Sequence, residues 1–172
     1  KDGEKNVRLV KFDSEQDEFE FIVQAIHQSN LPRNEIFVLA RTNRQLNELS
    51  AIMKAKGMKH IVRSDELKGS VVAEENDVTL ATIHAIKGLE AHSVFVIGCT
   101  PYNFPCRGSE HPGIEMIKVE EYDQEEEERR LFYVAISRAK KEVCLTHASK
   151  APTYFITESM LKLLEGWKGG NE

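Results

Sequence analysis

The chain has 172 residues, of which 41% are hydrophobic and 30% are charged, a composition typical of a globular domain with one buried core. No apolar stretch approaches the roughly 20 residues that cross a bilayer, and no basic and apolar leader opens the sequence, so we expect a cytoplasmic protein without a membrane partner. A net charge of −5 excludes a general polyanion binder. Any affinity for nucleic acid must therefore come from local groups.

The cysteine content argues against two kinds of small scaffold. Cys99, Cys106 and Cys144 are odd in number and form no C-x-x-C pair, which disfavours both a disulfide framework and a zinc site. Cys99 and Cys144 stand in apolar runs, so we expect them to be buried as small hydrophobic residues. The sequence predicts no metal site.

The first part of the chain alternates strand and helix patterns. Residues 7–12 alternate apolar and charged side chains, as a half-buried strand does, and Asp13 or Ser14 then offers a helix N-cap. Residues 35–40 form a nearly continuous apolar run, which is typical of a parallel strand covered on both faces. A second helix is predicted over 43–56.

The same alternation continues to the end of the chain, and it predicts an α/β domain with an open, mostly parallel sheet and helices on both faces. Such a sheet binds ligands at the carboxyl ends of its strands. We expect one domain over 1–168 and a disordered tail over 169–172. The remaining predicted elements are strands over 58–62, 78–82, 93–98 and 142–146, a surface loop over 98–118, and helices over 122–140 and 153–167.

One candidate site follows the predicted strand over 78–82. Thr82 and His84 stand at the end of that strand, and a hydroxyl and an imidazole can both bond phosphate or sugar oxygens. Gly88 permits a tight turn or a close backbone approach, and the Glu90 carboxylate can accept hydrogen bonds from a pair of ribose hydroxyls. From spacing alone a simpler alternative stays open, in which Thr82 caps a short helix and Lys87 pairs with Glu90.

Arg138 is a second candidate, near the end of the long helix predicted over 122–140. The inner face of that helix is expected to contain Leu131, Val134 and Ala135. A guanidinium is permanently charged and bidentate, so it suits the charge that builds on a transferring phosphoryl group. The alternative is a cation that only stabilises the end of a helix.

The two strings TIHAIKGLE at 82–90 and EERRLFYVAISRA at 127–139 resemble motifs V and VI of the UvrD/Rep/PcrA branch of superfamily 1 DNA helicases. The resemblance implies a RecA-like domain in which Thr82 and His84 contact the DNA backbone. It also implies that Glu90 contacts the ATP ribose, and it places Gly88 among the nucleotide-binding residues without a more specific role. Arg138 would be the arginine finger toward the γ-phosphate.

A shorter element supports the same resemblance. Arg41, Thr42 and Asn43 follow the apolar strand as the R-[TS]-N element follows motif IV in that family, near the DNA path. Arg41 or Asn43 could therefore bond phosphates. Equally, Thr42 and Asn43 are ordinary N-caps for the next helix.

Two acidic runs invite a metal site and are better explained as helix chemistry. Residues 120–128 hold carboxylates that spread around a helix start, and Glu127 and Glu128 are expected to order the helix through ion pairs with Arg129 and Arg130. Asp17 and Glu18 follow no apolar strand, so we interpret them as acids at a helix N-terminus.

The chain lacks a G-x-x-x-x-G-K-[ST] phosphate loop. In the family that it resembles, two RecA-like domains close on one ATP, and the first of them carries the phosphate loop and the magnesium carboxylates. This chain resembles the second, domain 2A, without the 2B insertion. We therefore expect ATP and Mg²⁺ to be held mainly by an N-terminal RecA-like domain of the same protein, and this chain alone to be inactive.

The sequence thus predicts the C-terminal motor domain of an ATP-dependent 3′-5′ DNA helicase or translocase that contacts single-stranded DNA. The polarity rests wholly on the resemblance. Two alternatives stay open. One is the motor part of a helicase-nuclease of the RecB or AddA kind, and the other is a non-catalytic RecA-like module that binds DNA or a partner protein.

Overall fold

The fold is given by a computed structural model that describes residues 5–64, 73–106 and 120–166. Its strands are β1 (Asn6–Lys11), β2 (Ile36–Ala40), β3 (His60–Arg63), β4 (Val78–Thr82), β5 (Ala91–Val96) and β6 (Ala139–His147). Its α-helices are α1 (Glu15–Gln28), α2 (Asn43–Ala55), α3 (Glu120–Ser137) and α4 (Glu158–Gly166). Short 3-10 helices cover Arg33–Glu35 and Ile83–Ile86.

The strands form one six-stranded sheet in the order β1-β6-β5-β2-β4-β3. Every described strand pairing is parallel, so the predicted α/β class is confirmed. All residues of β2 and β4, in the middle of the sheet, are buried. This is the environment that the continuous apolar run at 35–40 predicts.

Helices cover both faces of the sheet, as predicted. Because side chains alternate along a strand, β2 sends Phe37 and Leu39 to one core and Val38 to the other. The core with Val38 includes Ile22 of α1 and Leu46 of α2. The core with Phe37 and Leu39 is completed by residues from α3 and from the loops after β4, β5 and β6, among them Phe104, Phe132 and Phe155.

The starts of α1 and α2 follow the predicted caps. The Ser14 hydroxyl accepts a hydrogen bond from the backbone N–H of Asp17 at 3.1 Å, which satisfies one free donor of the first turn. Thr42 caps α2, and its backbone N–H and hydroxyl both donate to Gln45 Oε1, at 3.3 and 2.9 Å. The cap interpretation of Thr42 is therefore confirmed.

The predicted helix over 153–167 is wrong at its start, because α4 begins at Glu158. Thr153 lies buried in the preceding turn, where its backbone N–H donates to the Cys99 carbonyl and its hydroxyl donates to the Phe104 carbonyl. These tertiary hydrogen bonds compete with a helical conformation. They join the segment after β6 to the segment after β5.

The predicted end and inner face of the long helix also need correction. Helix α3 ends at Ser137, and β6 begins at Ala139 because Ala139 pairs with Ala91 of β5. Its inner face is formed by Glu128, Phe132 and Ala135, whereas the predicted residues Leu131 and Val134 are only half-buried.

The segment after β5 differs from an exposed loop. Cys99 and Phe104 are fully buried, and only part of 98–106 faces solvent. The rest of the predicted loop, 107–118, and the predicted tail, 169–172, lie outside the described residues.

The cysteines behave as predicted within the described part of the chain. All three are free, and Cys99 and Cys144 are buried. Burial raises the pKa of Cys144 to about 11 and raises that of Cys99 well above its ordinary value. In the described ranges no helix is long and apolar enough to span a membrane, and no group of three His, Cys, Asp or Glu residues could hold a metal ion.

Candidate functional site

Four of the predicted site residues meet at one edge of the sheet. We call it the carboxyl edge, where β2 ends at Ala40 and β4 ends at Thr82. Ala40 lies opposite Thr82 in the parallel register, so the residues that follow these two strands are neighbours. The structure therefore brings Arg41 and Asn43, after β2, close to Thr82 and His84, after β4.

Two oxygen atoms at the carboxyl edge are buried without a hydrogen-bond partner among the described residues, Thr82 Oγ1 and Asn43 Oδ1. Thr82 occupies the N-cap position of the 3-10 helix Ile83–Ile86, but its side chain makes no capping hydrogen bond. His84 follows on that helix and is half-buried. A buried polar group without a partner is costly, so an external group that bonds these oxygens would remove that cost. The Thr82 hydroxyl can donate or accept, whereas the Asn43 amide oxygen can only accept.

Arg41 is held in a bidentate ion pair at this edge. Its Nε donates to Glu128 Oε2 at 2.8 Å, and its Nη2 donates to Glu128 Oε1 at 2.5 Å. Glu128 is only 5% exposed and also accepts from the backbone N–H of Cys106 at 3.3 Å. The expected pairing of Glu128 within its own helix is thus replaced by a link from α3 to the end of β2. Arg129 does form a helical ion pair, with Glu126.

Glu18 lies in the first turn of α1, as the interpretation of Asp17 and Glu18 predicts, but its burial and its hydrogen bonds were not predicted. It is 1% exposed, and its Oε2 accepts from the Gly98 backbone N–H at 2.9 Å and from the Thr146 hydroxyl at 2.5 Å. Burial raises the pKa of Glu18, against the opposing effect of these two donors. One signal was available, because Glu18 precedes Ile22 and Ile26 at helical spacing and so shares their buried face.

Gly98 allows this packing at the end of β5. Its φ is +65°, and a Cβ there would lie 1.9 Å from Gln45 Nε2 and 2.9 Å from Asn103 Nδ2. Any larger residue would have to displace these side chains and adopt a strained backbone conformation. Gly98 thus lets α1, α2 and the loop after β5 converge at the carboxyl edge.

The predicted nucleotide residues lie at the opposite edge. We call it the amino edge, where β5 begins at Ala91 and β6 begins at Ala139. The Ala91 backbone N–H donates to the Arg138 carbonyl at 3.0 Å, so Glu90 and Arg138 are neighbours although far apart in sequence. The general expectation of ligands at the carboxyl ends of strands therefore does not describe the location of these two residues.

The side chains of Glu90 and Arg138, at the amino edge, make few contacts within the described chain. Glu90 is exposed, and its carboxylate makes no hydrogen bond or ion pair within the described chain. Arg138 is half-buried; its Nη2 donates to Ser137 Oγ at 3.3 Å, and its Nε is buried without a described partner. An exposed acceptor and a half-buried cationic donor therefore lie on neighbouring segments of the amino edge.

The connection from β4 to β5 joins the two edges. It passes through the 3-10 helix Ile83–Ile86 and turns at Gly88, whose φ is +80°. Gly88 has nothing within 4 Å of an added Cβ, so the backbone, and not a crowded neighbour, requires glycine here. The alternative Lys87 to Glu90 ion pair is absent from the described contacts, and both side chains are exposed.

The all-parallel sheet, with polar side chains at two opposite edges, places the chain in the class of α/β domains. The comparison with protein families is more specific. The model of the UvrD-like helicase C-terminal domain matches residues 62–150, which include β4, β5, α3 and β6. The chain belongs to this family. The resemblance drawn from the two motif strings is thereby confirmed.

Curated relatives agree with the family. The chain is 39% identical to the ATP-dependent DNA helicase PcrA of Staphylococcus aureus over 106 residues, which are 56% of this chain and 14% of that protein. It is 34% identical to a probable DNA helicase II homolog of Mycoplasma pneumoniae over 140 residues, which are 78% of this chain and 18% of that protein. The chain therefore spans less than a fifth of these relatives.

Solved structures support the fold. The C-terminal domain of a possible DNA helicase from Lactobacillus plantarum superposes with a TM-score of 0.59 at 18% identity, covering 89% of this chain and 78% of that one. The C-terminal domain of the DEAD-box protein Dbp5 superposes with a TM-score of 0.53 at 14% identity, covering 99% and 88%. The predicted RecA-like fold of a helicase C-terminal domain is confirmed.

Proposed function

We propose that this chain is the C-terminal motor domain of an ATP-dependent DNA helicase or translocase that moves 3′ to 5′ on single-stranded DNA. The observation that carries the proposal is the position of Glu90 and Arg138 on neighbouring segments of the amino edge, where the Ala91 backbone N–H donates to the Arg138 carbonyl. Membership of the UvrD-like family supports the same conclusion, and the polarity rests on that family alone.

At the amino edge, the chain would complete a nucleotide site and not form one by itself. Arg138 would stabilise the charge that develops on the γ-phosphate, since a guanidinium offers fixed bidentate donors. Glu90 would accept hydrogen bonds from the ribose, and the turn at Gly88 would let the backbone approach. The phosphate loop and the Mg²⁺ ligands would come from an N-terminal RecA-like domain of the same protein.

At the carboxyl edge, the chain would contact the DNA backbone. The unpartnered Thr82 hydroxyl can donate to a phosphate oxygen. The Asn43 amide nitrogen and the His84 imidazole would supply further N–H donors at the same edge. Arg41 would contribute its charge from within the ion pair with Glu128. Because the net charge is −5, affinity would depend on these placed groups and not on the overall field.

The test is DNA-stimulated ATP hydrolysis by the full-length protein at fixed salt. Arg138→Ala should lower kcat by about 10³- to 10⁵-fold, the range found for arginine fingers, while ATP still binds. Arg130→Ala is a matched control, because Arg130 is an exposed arginine of α3, the helix that directly precedes Arg138, and it should keep near wild-type turnover.

Other outcomes would favour the alternatives. A wild-type protein that binds DNA but shows no DNA-stimulated turnover would support a non-catalytic binding module. A wild-type protein that turns over ATP and also degrades DNA would support a helicase-nuclease. Unchanged turnover in Arg138→Ala would remove the finger role from Arg138.

A further inference from the structure

The loop after β5 presents one aromatic ring to solvent. Tyr102 is 82% exposed, whereas the other exposed large hydrophobic side chains of the described chain range from 37% for Leu89 to 47% for Tyr154. Aromatic side chains contribute most to stability when they are buried, and a tyrosine this exposed adds little packing to the domain. Its ring is therefore accessible to a partner outside the fold.

The exposure of Tyr102 does not result from a loose loop. The next aromatic residue, Phe104, is fully buried, and its carbonyl accepts from the Thr153 hydroxyl. Asn103 Nδ2 donates to the Gly98 carbonyl at 3.0 Å, and the Tyr102 backbone N–H donates to Thr100 Oγ1 at 3.3 Å. The backbone on both sides of Tyr102 is fixed, so the ring is held outward.

The same loop is tied to the carboxyl edge. Glu128 accepts from the Cys106 backbone N–H of the loop and from Arg41 at the end of β2. Strand β5 neighbours β2, and β2 neighbours β4. Since adjacent strands lie about 4.8 Å apart, the loop of Tyr102 begins roughly 5 Å from the end of β2 and roughly 10 Å from Thr82.

We propose that Tyr102 is a base-stacking contact for single-stranded DNA whose backbone lies along the carboxyl edge. The inference rests on the proposed function, and it adds a contact to the base where the other residues contact the backbone. Stacking on an aromatic ring is tolerant of sequence, as a translocating motor requires. It also adds affinity without positive charge, which a domain of net charge −5 needs.

A stacking role for Tyr102 requires a single-stranded substrate. A base inside a duplex is already stacked and paired, and exposing it costs a few kcal/mol. Unpaired bases offer both π-faces. The ligand class is therefore an unpaired nucleobase of any type.

The test compares two oligonucleotides of equal length, oligo-dT and an abasic backbone, by equilibrium binding to the full-length protein at fixed salt without nucleotide. Tyr102→Ala should weaken binding of oligo-dT by about 5- to 100-fold, the loss typical of one stacked base. The abasic strand should bind wild type and Tyr102→Ala equally. Tyr102→Trp should keep or raise the affinity for oligo-dT.

Tyr154→Ala is the matched control. Tyr154 is also exposed, but its ring already contacts Phe155 and its hydroxyl bonds Glu125, so its loss should leave the affinity for oligo-dT unchanged. Because the Tyr102 side chain is mostly in solvent, Tyr102→Ala should unfold at the wild-type temperature.

Each contrary result has a distinct meaning. Equal affinity of wild type and Tyr102→Ala for oligo-dT, in a protein whose ATPase is stimulated by DNA, overturns the stacking contact and leaves the proposed function intact. An equal loss on both oligonucleotides also overturns it, since the contact would then be to the backbone. A wild-type protein without DNA binding or stimulated turnover removes the proposed function and this inference together.

Discussion

The two edges of the sheet differ in how their polar groups are satisfied. At the carboxyl edge, Glu128 and Glu18 are buried, and each accepts hydrogen bonds from residues far away in sequence. At the amino edge, Glu90 is exposed and Arg138 makes one side-chain hydrogen bond, to the adjacent Ser137. Glu128 and Glu18 at one edge are therefore satisfied by internal contacts, whereas Glu90 and Arg138 at the other edge have few of them.

This difference teaches how substitutions should be interpreted. A residue that is part of a buried network cannot be removed without a cost to folding, so a loss of activity there mixes two causes. A residue with few internal contacts can be replaced without a large cost to folding, so a loss of activity then has one cause. Substitutions at Glu90 and Arg138 should therefore separate function from stability, whereas substitutions at Glu128 and Glu18 should not.

The largest expected effect tests the amino edge. Arg138→Ala should change the free energy of unfolding by no more than about 0.5 kcal/mol, as for other substitutions away from buried networks, while DNA-stimulated kcat falls by about 10³- to 10⁵-fold. Urea denaturation and ATPase assays on the same preparation check this. A destabilisation of several kcal/mol would mean that Arg138 is as integral to the fold as Glu128.

The next effect tests the carboxyl edge. Glu128→Ala should destabilise the protein by about 3–5 kcal/mol, because it leaves the Arg41 guanidinium partly buried without its carboxylate and removes the acceptor of the Cys106 N–H. Urea denaturation measures the loss.

The double variant Arg41→Ala/Glu128→Ala should recover part of that stability, since no charge is then left without its partner. If Glu128→Ala were within about 0.5 kcal/mol of wild type, the carboxyl edge would not depend on this ion pair.

A smaller effect concerns pH. Because burial raises the pKa of Glu18, the carboxyl group of Glu18 binds its proton more tightly in the folded protein than in the unfolded chain. Wild-type stability therefore falls as pH rises from the ordinary glutamate pKa of 4.5 to the raised folded value, and this contribution is constant above it.

Glu18→Gln removes this titration and keeps an oxygen that accepts from Gly98 and Thr146. Urea denaturation between pH 4 and pH 8 should show the variant gaining on wild type across that window. Other groups, such as His147, titrate equally in both proteins, so the difference isolates Glu18. A difference that does not change with pH would mean that the Glu18 pKa is the same in the folded and unfolded states.

The smallest effect is at Thr82. Thr82→Val replaces an unpartnered buried hydroxyl by a methyl group of similar size, so stability should not fall. If the hydroxyl bonds a phosphate, Kd for single-stranded DNA should rise by about 2- to 10-fold, the worth of one hydrogen bond. Thr82→Ser, which keeps the hydroxyl, is the control, and equal affinity in all three proteins would exclude the contact.

The elements that sequence predicted well are those whose cause is local. The run at 35–40 is apolar throughout because both faces of β2 are covered, and Thr42 caps α2 through a contact three residues away. Both features depend only on neighbours along the chain. Periodicity and capping rules detect such features directly.

The features that sequence missed depend on tertiary partners. Glu18 bonds Thr146 across 128 positions, and Arg41 bonds Glu128 across 87, so no local pattern contains either pair. The start of α4 was placed too early because Thr153 is held by Cys99 and Phe104. The location of the two groups of site residues at opposite edges of the sheet likewise became clear only from the strand order.

Helix α3 carries Glu128 partway along its length and ends one residue before Arg138. At 1.5 Å per residue, roughly 15 Å of continuous helix separates the anchor of Arg41 from the guanidinium at the amino edge. A packed helix transmits displacement with little bending, so a tilt of α3 about its buried centre would move the two ends in opposite directions. The two edges are thus joined by one continuous helix, in which Phe132 is fully buried between Glu128 and the helix end.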